Sequence, residues 1–146
     1  MRCILVDWLT EVSEEYRLQP VTFFLAVRYM DTVLRYLPLK RTQFQLLGCV
    51  CILIASKIEE TQSLPIDSLV FLSDYCFEGD AVIKMEQKVV KLLGYDLVIP
   101  TRYSLVPRFT LAAKLSPKEA ALLTLLLELS LQDVAFDLEV ASKVTK

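Results

Sequence analysis

The sequence predicts an all-α protein: a five-helix bundle around a central third helix, followed by a partial second bundle. Three observations predict it. Residues 44–60, FQLLGCVCILIASKIEE, carry no charge and no proline between Leu46 and Ala55. Apolar side chains there occupy every face of a 3.6-residue turn, and a helix apolar all round must be surrounded by others. The chain has only three glycines in 146 residues and is 54% apolar, which fits tight helices with short loops and leaves little room for disorder. The flanking segments repeat apolar residues at helical spacing and break at prolines.

Each helix has its own signal. Residues 1 to about 16 place Met1, Ile4, Leu5, Trp8, Leu9 and Val12 on the i, i+3, i+4, i+7, i+8, i+11 template. An LQP turn follows, with Pro20 suited to the first turn of the second helix. The stripe of that helix is Phe23, Ala26, Val27, Met30, Val33, Leu34 and Leu37. A basic turn with Pro38 leads into the central helix at about Arg41. Its uncharged part, residues 43–56, is roughly 21 Å long, short of a bilayer core of about 30 Å. It is therefore read as the core helix of a soluble bundle, with no membrane partner. After Glu60, TQSLP breaks the pattern and Pro65 starts a short fourth helix reaching about Ser73. Gly79 and Asp80 open a fifth helix over 81–93, which Gly94 terminates as the C′ residue.

These five helices make a first unit, residues 1–98. Pro100 and Thr101 read as a boundary, and residues 99–146 as the incomplete second fold. A sixth helix is expected over about 102–114. Ser116-Pro117-Lys118-Glu119 is a capping box with proline at the first helical position. The seventh helix, 120–131, is nearly all apolar and is expected to be central to the second bundle, with only 138–146 left to cover it.

The totals exclude several function classes. A net charge of −2 and a pI of about 5.2 lack the electrostatic footprint of a nucleic-acid binder. The absence of histidine removes His-based acid–base catalysis, Ser–His and Cys–His nucleophiles and most zinc sites. Four cysteines, Cys3, Cys49, Cys51 and Cys76, show no CxxC spacing. Cys49 and Cys51 stand two apart on a helix and cannot share a ligand face. All four are read as reduced, buried thiols of an intracellular protein. With no metal cluster, phosphate-binding glycine loop or nucleophile–base pair visible, no enzyme, cofactor or metal is expected. The mean hydropathy of +0.45 is high for a soluble monomer, pointing to an apolar surface that takes a partner or to a fragment lacking its covering pieces.

Two charged residues stand out. Lys57 is the last core-helix residue before the chain turns acidic, with Leu53 and Ile54 at i−4 and i−3. Glu86 has Val82 and Val90 at ±4 and Ile83 and Val89 at ±3, which sets it at the edge of a buried stripe. On composition alone both are solvated helix residues, with Lys57 pairing Glu60 at i+3 for a few tenths of a kcal/mol.

MRCILVDWL, then ASKIEE about fifty residues on, then KME in the fifth helix, resembles the cyclin box, in particular that of the A- and B-type mitotic cyclins. The resemblance runs without a gap from Met1 through Pro100. Five family positions match: Arg2, Asp31, Leu46, Lys57 and Glu86. It implies a five-helix bundle around its third helix and a regulatory subunit without catalysis. Such a subunit binds a cyclin-dependent protein kinase beside its αC helix and favours the active arrangement by population shift. By position, Lys57 and Glu86 would hydrogen-bond kinase backbone, while Ile54, Ile58, Val90, Tyr95 and Leu97 would form the apolar contact. Arg2 and Asp31 would instead pair inside the box, tying helix one to helix two.

The resemblance also implies a docking patch for substrates and inhibitors carrying an Arg-x-Leu motif. That patch maps onto Met1, Ile4, Leu5 and Trp8, with Gln45 and Leu72 alongside, Glu11 receiving the arginine and Arg41 at the rim. Leu9 and Val12 are expected to face the core, and Met1, Leu5 and Trp8 to face out. Two departures fall near the kinase-facing surface. Ile58 replaces a usual aromatic, and TQSLPID lacks the usual double proline. The helix that precedes the box in relatives is read as missing, and the second box as cut after roughly two helices and part of a third, so a fragment or truncated product is expected. Competing readings are a cyclin-fold transcription-complex scaffold and a decoy cyclin that binds without activating. Family membership would place the chain in nucleus and cytoplasm.

Overall fold

The computed structural model describes residues 2–132. Seven α-helices follow in order: α1 Arg2–Glu15, α2 Pro20–Tyr36, α3 Phe44–Glu59, α4 Ile66–Leu72, α5 Gly79–Leu92, α6 Val106–Ala112 and α7 Pro117–Ser130. Short 3-10 turns, Arg41–Gln43 and Tyr103–Leu105, lead into α3 and α6. The fold expected from the sequence, all-helical with helices packed around the third, is the one observed among these residues.

Everything from Leu47 to Ser56 on α3 is buried. By length and composition Arg41–Glu59 would pass for a membrane span, but α1, α2 and α5 pack around it and remove the apolar surface from water. α2 supplies the widest lid, burying Phe23 to Val27, Tyr29, Met30 and Val33. α1 adds Leu5, Val6, Leu9 and Val12, and α5 adds Val82, Met85 and Val89. α1 crosses α3 at Gly48, where a Cβ would lie 2.8 Å from Leu5 Cδ1 and 3.4 Å from Trp8 Cζ3. A side chain at that position would push the two helices apart.

Helix ends are closed economically. α5 finishes in a Schellman motif: Gly94 N–H donates to Lys91 O and Tyr95 N–H to Val90 O, both at 3.1 Å. The same pair of bonds ends α1 at Arg17, α4 at Asp74 and α6 at Lys114, all with positive φ although none is glycine. The TQSLP loop after α3 is tied down by Ser56, whose buried hydroxyl donates to Leu53 O at 2.8 Å and accepts Leu64 N–H at 3.1 Å.

Three expectations are corrected. The sixth helix is shorter than the expected 102–114, because Pro107 lacks an N–H and is tolerated only in the first turn, while Lys114 takes a left-handed conformation. The seventh helix buries none of its own residues. Leu122, Leu125, Leu126 and Leu129 are all about half-exposed or more, so it is central to nothing among the described residues. The segment expected to cover it, 138–146, lies outside them. Of the four cysteines, Cys49 and Cys51 are buried, but Cys3 and Cys76 are exposed, because Cys3 stands on the outer face of α1 and Cys76 in the turn after α4.

Replacing Ser56 with Ala leaves the Leu64 N–H without its acceptor in a buried setting. Denaturant unfolding should show a loss of about 1–3 kcal/mol; an unchanged midpoint would mean the loop is held by other contacts.

Candidate functional site

Lys57 stands at the last turn of α3, where the helix leaves the core and its C-terminal dipole favours a cation. Its Nζ donates to Glu86 Oε1 at 2.5 Å, joining α3 to α5. The lysine side chain is 43% exposed and the glutamate 19%. Glu60, the partner expected on spacing, does something else. Its Oε1 accepts Gln19 N–H at 2.7 Å and Thr22 Oγ1–H at 2.6 Å, which caps α2 from outside the helix.

Apolar residues lie near the pair along α3, α5 and the segment that follows α5. Ile58 and Ile83 are exposed, and Tyr95 is 73% exposed. Val90 and Leu97 are half-buried against the core. Tyr95 is held outward by a left-handed backbone, φ 63°, directly after Gly94 at φ 67°. A bulky residue adopts that conformation only when its surroundings impose it. Leu97 is fixed by its carbonyl, which accepts the Tyr29 hydroxyl from α2. Burial first, then the nearby Glu59 charge, pushes that phenol well above its ordinary value, so it remains a donor. One expected contact residue needs correcting: Ile54 is only 2% exposed. It lies inside the bundle because α3 is covered on all sides at that level. Ile83 takes the place at the rim that spacing alone had not assigned.

Arg2 and Asp31 meet as a bidentate fork, Nε to Oδ1 at 2.6 Å and Nη2 to Oδ2 at 2.8 Å, with side chains 11% and 10% exposed. The guanidinium does more than join α1 to α2. Its Nη1 donates to Leu131 O at 2.5 Å, the carbonyl at the end of α7, where a cation offsets the helix dipole. Beside it Gln132 Nε2 donates to Asp7 Oδ1. A contact between residues 129 apart in sequence leaves no local signal.

The docking-patch residues are only partly assembled. Ile4 is 67% exposed, Glu11 and Arg41 are exposed, and Trp8, Gln45 and Leu72 are half-buried. Leu5 does not face out as expected. It is 6% exposed, pressed against Gly48 where α1 crosses α3. Met1 lies outside the described residues. Near Leu72, Phe71 and Tyr75 form an exposed edge-to-face pair with centroids 6.3 Å apart, an i, i+4 aromatic pair that a periodicity reading passes over.

The surface has binding chemistry and little reactive chemistry. Among the described residues no group of three or more potential ligands could hold a metal. Burial pushes the Cys49 thiol up to about 12 and raises Cys51 as well, so neither is a nucleophile at neutral pH.

Comparison with known proteins gives one picture. The family model described as "Cyclin, N-terminal domain" matches residues 1–98. Cyclin-A1-4 of Oryza sativa subsp. japonica is 44% identical over 114 residues, covering 78% of this chain and 32% of the relative. Cyclin-A2 of Xenopus laevis is 41% identical over 133 residues, covering 91% and 32%. A solved viral cyclin from herpesvirus saimiri superposes with a TM-score of 0.74 at 25% identity, covering 84% of this chain and 54% of that one. The chain thus spans about a third of the length of the relatives it matches.

The two ion pairs should separate in stability. Asp31→Ala removes the carboxylate that neutralises a largely buried guanidinium and should cost about 3–5 kcal/mol, whereas Glu86→Ala breaks a half-exposed pair worth about 1 kcal/mol or less. Equal losses in parallel urea titrations would show that the exposed pair is also a structural clasp.

Proposed function

This chain belongs to the cyclin family, close to the A-type cyclins, and on that premise we propose that it is a regulatory subunit that binds and activates a cyclin-dependent protein kinase. The observation that carries the reading is the Lys57–Glu86 pair at the α3–α5 joint, set in an accessible apolar rim. Paired charges inside such a rim suit a contact that loses water on association. Lys57 and Glu86 hydrogen-bond kinase backbone near the αC helix, while Ile58, Ile83, Val90, Tyr95 and Leu97 form the apolar contact. Activation is a population shift: the cyclin surface fits the kinase with αC inward better than αC outward, and differential affinity makes that state dominant. The chain contributes position and leaves phosphoryl transfer to its partner.

The second part of the proposal is substrate docking. Ile4, Trp8, Gln45 and Leu72 offer an apolar cleft for the leucine of an Arg-x-Leu motif, and Glu11 a carboxylate for its arginine. Among the described residues α6 and α7 belong to a second cyclin fold, and the chain works in nucleus and cytoplasm. Fluorescent fusions expressed in cells would check the location.

Titrating a monomeric cyclin-dependent kinase with this chain should raise its activity saturably. Lys57→Ala and Glu86→Ala should each abolish that rise, at a binding cost of about 2–5 kcal/mol, while the chains stay folded. Saturable binding without activation would convert the assignment to a non-activating decoy; no binding would remove it. For the docking cleft, Trp8→Ala and Glu11→Ala should each weaken an Arg-x-Leu peptide about tenfold or more, read by fluorescence anisotropy. Unchanged affinity in both would move the peptide elsewhere.

A further inference from the structure

We propose that Ser116 is a phosphorylation site for a proline-directed Ser/Thr protein kinase, and that its modification rewires the start of α7. Ser116-Pro117 is the only Ser-Pro or Thr-Pro step in the chain. The serine is exposed and has φ −68° and ψ 162°, extended as a residue before proline must be. That is the backbone shape a kinase cleft takes from its substrate, and proline after the acceptor has no N–H to leave unsatisfied there. Access to the residues that follow is cheap, because α7 buries none of its own side chains. The first turn of α7 is exposed from Ser116 to Glu119, and a turn so little covered opens locally at little cost.

The chemistry is a simple phosphoryl transfer. Ser116 Oγ bonds to the γ-phosphorus of ATP, the bond from that phosphorus to the β–γ bridging oxygen breaks, and ADP leaves. The hydroxyl proton passes to the catalytic aspartate of the kinase.

The structural consequence follows from what that hydroxyl now does. Ser116 Oγ donates to Glu119 Oε2 at 2.7 Å, Ser116 N–H donates to the same oxygen at 2.7 Å, and Glu119 N–H donates to Ser116 Oγ at 3.4 Å. Esterification removes the donated proton and sets a group of about −1.5 to −2 charge beside the carboxylate. Like charges at that distance cannot share the cap. The phosphate, with three acceptor oxygens and the positive end of the helix dipole before it, takes over the free N–H groups, and Glu119 swings away. Lys114 and Lys118, both exposed, flank it in sequence. The Glu119 carboxyl is at present held below its usual range by the hydrogen bonds from the Ser116 side chain and backbone; losing them beside a dianion moves it upward.

The test uses the whole chain, an active proline-directed kinase and ATP, with the site located by mass spectrometry. The expected result is one phosphoryl group, on Ser116. Pro117→Ala, which keeps both hydroxyl and cap, should lower the labelling rate on the order of tenfold or more. Ser116→Thr should still be labelled, and Ser116→Ala should not. Carboxyl-observed NMR of the modified chain should show Glu119 titrating at higher pH than in the unmodified one. Label persisting in Ser116→Ala, equal labelling of Pro117→Ala, or an unlabelled chain beside a labelled peptide of residues 110–122 would each overturn the proposal.

Discussion

One constraint governs this molecule: a helix with no polar face has to be enclosed. From Leu47 to Ser56, α3 offers water nothing, and burying such side chains is worth about 1.5–3 kcal/mol for each large one. The other helices are arranged by that demand. α2 brings the broadest apolar face, α1 approaches where Gly48 has no side chain, and α5 closes the remaining flank. At its last turn α3 comes free of its neighbours. Lys57, the residue placed there, is the first of its positions that can carry charge into solvent. Charge thus reaches the surface of α3 where enclosure ends.

The two ion pairs show how burial divides charged residues by purpose. Arg2 and Asp31 are nearly covered, meet by two parallel hydrogen bonds and have few degrees of freedom left. A pair of that kind fixes geometry. Lys57 is more than two-fifths exposed and makes a single bond to its partner. Such a pair stabilises the fold little and can exchange its partner for a hydrogen-bonding surface on another protein. Similar chemistry thus yields a bracket at one end of the bundle and an adjustable contact at the other.

Most of the helices were legible in the sequence because their signals are local. Apolar spacing marked α1, α2 and α5, prolines marked the starts of α2 and α7, and the Ser116–Glu119 box is present bond for bond. What sequence missed depends on tertiary context. Leu5 and Trp8 are three apart on one helix, yet the crossing at Gly48 buries one and leaves the other partly open. Ile54 belongs to a stripe that looks accessible only if the covering helices are forgotten. Three helix ends at Arg17, Asp74 and Lys114 are invisible to a search for glycine, since their left-handed turns are imposed by the bonds they close. Glu60 was assigned to the lysine three residues away, when its real partners lie across the bundle on α2.

The bond from Arg2 to the Leu131 carbonyl has a consequence for how the chain is made. On a ribosome, Arg2 emerges first among the described residues and its acceptor almost last. Closing so long a loop adds little entropy beyond that of a medium one, but the contact has a very high sequence separation, the kind that forms late. During most of synthesis the guanidinium can satisfy Asp31 and nothing at the far end. The first helix thus makes its contact to α2 early and its contact to the end of α7 only after that helix has been translated.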